Sequence, residues 1–222
     1  MSGGFPEGTT LDTVVDAMAG LALADNDGVR YFHQIYSEVT RAVAARAAAG
    51  AFEDARFLVE LDVAFAGLYL DAVRSPATAP RAWQVVFDRR FERREPLQFA
   101  LAGMNAHINR DLAVALDATC TRLGGTLDRD SPRCRDFASV NDILVALMNQ
   151  AKTELFSRVD QLADAALGPV DDLFEAWSIT AARDSAWTHG AVLHHLGPGV
   201  ARNAALVSID RTASLIGRLL LL

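Results

Sequence analysis

Residues 98–116 run Gln98-Phe-Ala-Leu-Ala-Gly-Met-Asn-Ala-His-Ile-Asn-Arg-Asp-Leu-Ala-Val-Ala-Leu116, and this stretch decides the fold. Projected at about 100° per residue, it shows no clean polar face. Gln98, Asn105 and Asn109 align on one side, His107, Arg110 and Asp111 gather roughly opposite, and apolar residues separate the two groups. A helix that is apolar nearly all round belongs at the centre of a fold. Its small residues (Ala100, Ala102, Gly103, Ala106, Ala113, Ala115) let neighbours approach closely. Pro96 suits a first turn and Gly124-Gly125 a stop, so the expectation is a buried central helix over 96–123.

Working outward, Gly and Pro divide the 222 residues into about eight helical segments. The first covers 10–24. The second opens at Asp27 and ends at Gly50, and the third begins near Asp54 and stops before Pro76. A short one covers 83–93. After the central helix and a loop over 126–135, Asp136 is expected to cap a helix of about thirty residues closed by Gly168-Pro169. Asp171 opens the seventh, Gly197-Pro198-Gly199 ends it, and the eighth runs to Leu222. No segment alternates with period two, and no internal repeat or low-complexity linker is present. Hydrophobic residues make up 51% and charged residues 22%, which excludes disorder and allows a large core. The expectation is an all-α, single-domain helical bundle over 1–222.

The net charge of −7 speaks against nucleic acid or an anionic membrane as partner. No signal peptide is expected at the N-terminus, and the longest apolar run, between Asp62 and Asp71, is far too short to span a bilayer. A soluble, cytoplasmic protein is expected. Cys120 and Cys134 form neither a disulfide framework nor a metal quartet.

Misplaced polar residues mark candidate sites. In the third segment Leu58, Phe65, Ala66, Tyr69 and Val73 share a face, and Asp62 falls in its middle. An ionised carboxylate there must be paired, hydrogen-bonded or metal-bound; it is either a tie between helices or part of a site. His107 and Asp111 stand four apart and meet on one helix face. They form a metal half-site, a couple in which Asp orients the imidazole as a base, or a core His satisfied by a local Asp. In the seventh segment Asp184 is a second carboxylate on an apolar stripe, among Leu173, Trp177, Thr180, Trp187 and Ala191, while Arg183 is read as pointing elsewhere. Asn141 and Glu154 flank the stripe of the sixth, and His33 lies at the edge of the second segment's apolar face with Phe32 and Tyr36.

The run Gly103-Met-Asn-Ala-His-Ile-Asn-Arg-Asp-Leu112 is similar to the signature of an uncharacterised, mainly actinobacterial helical family catalogued as a domain of unknown function. Matching stretches at Leu61-Asp-Val-Ala-Phe-Ala-Gly-Leu-Tyr-Leu-Asp-Ala72, Asp136-Phe-Ala-Ser-Val-Asn141 and Ala182-Arg-Asp-Ser-Ala-Trp187 extend the resemblance over most of the chain. His33 stands where many relatives are expected to have Asn, which counts against it as a shared ligand. The resemblance implies no established activity; it supports the choice of Asp62, Asn105, His107, Asn109 and Asp111.

Glycine-rich phosphate loops, H-E-x-x-H, G-x-S-x-G, Cys-x-x-Cys, paired Glu-x-x-His and D-D-x-x-D motifs are all absent, so no nucleotide or flavin cofactor is expected. The leading expectation is a small-molecule enzyme with a pocket between the third, fifth and seventh segments. Its catalytic set is His107, Asp111, Asp62 and Asp184; Asn105, Asn109, Tyr69, Asn141, Trp187 and His33 contact a hydrophobic or mixed-polarity metabolite. In one version Asp62, His107 and Asp111 hold a divalent ion (Zn²⁺, Mn²⁺ or Fe²⁺) for hydrolysis or Lewis-acid chemistry. In another, metal-free version His107 is the base and Asp62 or Asp184 the acid of a cyclase or isomerase. A non-catalytic ligand-binding or scaffold bundle is the third reading. The terminal Leu219-Leu-Leu-Leu222 favours a homodimer through the last helix over a tail folded into its own subunit.

Overall fold

Local signals start most of the helices. In a computed structural model describing residues 5–159 and 178–222, the Thr10 side chain caps α1 (Leu11–Ala19) by accepting from the Thr13 N–H. Asp27 Oδ1 accepts from Val29 N at 3.0 Å at the start of α2 (Val29–Ala48). Asp54 caps α3 (Ala55–Arg74) through Phe57 N. A 3₁₀ turn (Pro76–Thr78) leads to α4 (Arg81–Phe87), whose first N–H groups, those of Arg81 and Ala82, donate to the Asp210 carboxylate. A capping box of Glu95 and Gln98, with Pro96 in the first turn, opens α5 (Pro96–Ala106).

The central helix is not one regular α-helix. Residues His107–Asp111 form a π turn, with the Leu112 N–H bonding to the His107 carbonyl five residues back, before α6 (Leu112–Leu123) continues to Gly124 at φ +76°. Then follow α7 (Pro132–Val159), α8 (Ile179–Leu196), capped by Ser178, and α9 (Val200–Leu220). Counting α5, the π turn and α6 as one, the described residues form eight helical segments and no strand. The bundle is all-α as expected.

Several boundaries shift. The first segment stops at Ala19, the short fourth at Phe87, and the sixth begins at Pro132. Asp136 therefore does not cap its own helix; its carboxylate accepts from Glu53 N and Asp54 N, at the N-terminus of α3. The expected start at Asp171, the stop at Gly168-Pro169, Leu173, Trp177 and the Glu154 side chain lie outside what is described.

Apart from Gln98, every residue from Leu97 to Ala106 is buried, which makes α5 the core helix the pattern asked for. Its main neighbours are α2 and α9, while α6 packs chiefly against α8 and α3. Gly103 sets the α2–α5 approach: a Cβ there would meet Phe32 Cβ and Cγ at 2.6 Å. Gly103→Ala is expected to lower stability by about 1–3 kcal/mol, because Phe32 is held by its aromatic neighbours and cannot step aside; urea unfolding measures it.

At the C-terminus Leu220 and Leu221 are buried in the chain's own core, and the terminal carbonyls accept from Gln98, Arg89 and Arg94. Leu215, Leu219 and Leu222 remain exposed. Cys120 and Cys134 are free thiols. Among the described residues no helix is long and apolar enough to cross a membrane.

Candidate acid–base site

The π turn brings His107 and Asp111 together. His107 Nδ1 lies 3.2 Å from Asp111 Oδ2, and both residues are buried. Asp111 Oδ2 also accepts from Trp83 Nε1 at 2.6 Å, and Oδ1 from Arg110 Nη1 at 2.7 Å. The imidazole stacks on Phe65 (centroids 3.5 Å apart, 5° between planes) and meets the edge of Tyr36 at 4.5 Å, so its orientation is fixed from both sides.

Burial works to raise the Asp111 pKa, but the hydrogen bond from His107, with the charge and hydrogen bond of Arg110, outweighs it and holds the carboxyl below its usual range. Burial lowers the His107 pKa, against the opposing pull of Asp111. An ionised Asp111 can only accept, so the neutral ring keeps its proton on Nδ1. That leaves Nε2 as a bare lone pair, and in the fold Nε2 is buried with no hydrogen-bond partner.

His107 lines a cavity of about 50 Å³, room for a few waters as it stands. Apolar side chains from α2, α3, α5 and α7 wall it, Ile35, Leu58, Met104 and Leu144 among them. Its polar lining is Tyr36, Asp62, His107 and Arg183. Asp62 is half-buried, but its Oδ2 is shut off from solvent and has no hydrogen-bond partner, and the Tyr36 hydroxyl is orphaned in the same way. Burial pushes the Asp62 carboxyl up to about 7, with the Arg183 charge pulling the other way. Three orphaned polar groups around one apolar cavity are costly to a fold, and native structures carry few of them.

The other expected residues do not line the cavity. Asp184 is a correction: its side chain is 63% exposed and pairs with Arg129 at the surface. The stripe that α8 buries is Ile179, Ala182, Arg183, Ala186, Trp187, Gly190 and Leu193, one step round from the expected one. Arg183 consequently points inward. Trp187 is packing: its Nε1 donates to Leu127 O, and its ring lies against Phe137 and Phe57. Asn141 Oδ1 accepts from Arg183 Nε at 2.6 Å, a helix–helix tie that positions the guanidinium. Asn105 is fully buried, donates to Ala213 O of α9 at 2.7 Å and accepts from Asn109 Nδ2 at 2.9 Å. Tyr69 and His33 share a 3.0 Å hydrogen bond between α3 and α2. Asn141, Asn105, Tyr69 and His33 are thus engaged in ties between helices.

The expected metal triad is likewise not assembled. Asp111 is outside the cavity lining, with its oxygens turned to Trp83, His107 and Arg110. Asp62 and His107 remain as two donors, and no group of three or more His, Cys, Asp or Glu able to hold an ion occurs among the described residues.

Two site residues escaped the sequence reading. Tyr36 was counted as an apolar-face residue, although a buried hydroxyl always raises the question of its partner. Arg183 fits the i, i+3, i+4 stripe that runs from Ile179 to Trp187, and that register was the available signal.

An all-helical bundle with an oriented imidazole and a raised carboxyl on one apolar cavity thus defines a candidate small-molecule site. The chain belongs to the family of unknown function DUF5995, which it matches over residues 10–222. No curated protein and no solved structure matches it.

Proposed function

We propose that the chain is a metal-free acid–base catalyst, an isomerase or cyclase moving a proton on a small hydrophobic molecule, with His107 as base, Asp111 as its positioning residue and Asp62 as acid. The observation that carries this reading is the pair of orphaned atoms, His107 Nε2 and Asp62 Oδ2, on two residues that line one apolar cavity. Their environments push them towards complementary states near neutral pH: burial keeps the imidazole unprotonated and lets the carboxyl hold its proton up to about 7. Neither atom contributes to the fold as it stands, and perturbed, unpartnered groups are what a reacting site requires.

The test needs no knowledge of the natural substrate. Deuterium exchange at the α-carbon of cyclohexanone in D₂O, followed by proton NMR, reports carbon-to-base proton transfer directly. The protein is expected to accelerate exchange over buffer, and His107→Ala to remove about 10²–10⁴-fold of that acceleration. Exchange no faster than in buffer, across a panel of cyclic ketones and enones, would end the reading. A divalent-ion version would rest on Asp62 and His107 with its other ligands from water or substrate, and elemental analysis of purified protein decides it. The exposed Leu215, Leu219 and Leu222 support a homodimer through α9, which light scattering on the intact chain tests.

A further inference from the structure

Arg183 is only 5% exposed, yet its hydrogen bonds go to neutral acceptors: Nε to Asn141 Oδ1 at 2.6 Å and Nη2 to Phe137 O at 2.7 Å. The guanidinium lies 4.0 Å over the Phe137 ring, and Arg183 is one of the residues that line the cavity. It makes no ion pair among the described residues. Asp62 lines the same cavity and acts on Arg183 without forming an ion pair with it. A buried cation without a contacting counter-ion is an expensive arrangement unless an anion arrives to complete it.

The remaining polar lining has the same complementarity. The Tyr36 hydroxyl is an unpartnered donor, and a carboxylate offers only acceptors. The rest of the wall is aromatic and aliphatic, which suits an apolar body with one charge and disfavours a phosphate dianion.

We infer that the cavity, opening beyond its resting volume of about 50 Å³, takes a small hydrophobic monocarboxylate, its carboxylate seated on Arg183 and its body against Phe65 and Met104. The inference rests on the acid–base reading for the reaction and names the substrate class: an acid whose reactive C–H lies elsewhere in the molecule and is left to His107 Nε2.

Calorimetric titration of the intact chain with benzoate, benzamide and cyclohexanone tests this. Benzoate is expected to bind at least tenfold more tightly than benzamide, and Arg183→Met to remove that preference. Benzamide binding as tightly as benzoate to the intact chain, or a folded Arg183→Met variant that keeps the preference, overturns the inference. Accelerated exchange on cyclohexanone with no benzoate binding overturns it while leaving the acid–base reading standing. Benzoate bound in preference to benzamide but no exchange supports the carboxylate site and overturns the acid–base reading instead.

Discussion

Asp62→Asn is expected to make the protein more stable at pH 8, by up to about 4 kcal/mol, and no more stable at pH 4. In the folded chain the Asp62 carboxyl titrates at about 7, against an ordinary value of 3.8. Between those values the folded state binds a proton that the unfolded state has released, so this group's contribution to stability falls as pH rises from about 4 to 7. Roughly three pH units at about 1.4 kcal/mol each set the upper limit. An amide cannot ionise, so the variant escapes the loss. His107, His33 and His189, whose pKa values burial lowers, act with the opposite sign: they cost stability as pH falls below about 6.5. The difference between variant and parent cancels their effect. Urea unfolding of both proteins from pH 4 to pH 8 measures it, and a difference that does not grow with pH would show that Asp62 is an ordinary paired carboxylate.

That Asp62 was visible in the sequence at all follows from period. Leu58, Phe65 and Tyr69 define a face by helical spacing alone, and a carboxylate in its middle violates the pattern whatever the tertiary structure. The centrality of α5 was legible for the same reason. A stripe extended from Leu173 and Trp177 puts Asp184 inside, whereas α8 starts at Ile179 and is phased by it. A phase error of one residue is about 100° on a helix, enough to put Asp184 inside and Arg183 outside when the fold has the reverse. The π turn left no trace in hydrophobic periodicity, since one residue of over-wide turn is absorbed by an apolar helix without changing which residues are greasy. Partners also lie beyond periodicity: no local pattern says that Asn105 is met by the Ala213 carbonyl or Asn141 by Arg183, 108 and 42 residues away. The four C-terminal leucines divide two and two between core and solvent, which only the neighbouring helices could decide.

Asp111→Asn, an isosteric change, is expected to combine a large loss of stability with a reversal of the His107 tautomer. The carboxylate meets three donors: Trp83 and His107 on Oδ2, Arg110 on Oδ1. An amide has one oxygen, so every orientation fails somewhere. With the oxygen at the Oδ2 position, the amide NH₂ faces the Arg110 guanidinium and the cation loses its counter-ion. With the oxygen at Oδ1, the NH₂ opposes the Trp83 indole N–H and donates to His107 Nδ1, which moves the ring proton to Nε2 and removes the lone pair proposed as the base. Breaking a buried charge-assisted set of this kind costs about 3–5 kcal/mol. Trp83→Phe is the control: it removes one donor and leaves the carboxylate charged, for a cost of about 1–3 kcal/mol, with Nδ1 still protonated. Long-range ¹H–¹⁵N correlations assign the tautomer in each protein independently of activity. If Asp111→Asn unfolds at the parent's urea midpoint and keeps its proton on Nδ1, the Asp111–His107 contact neither supports the fold nor orients a base, and the proposed roles of both residues fall together.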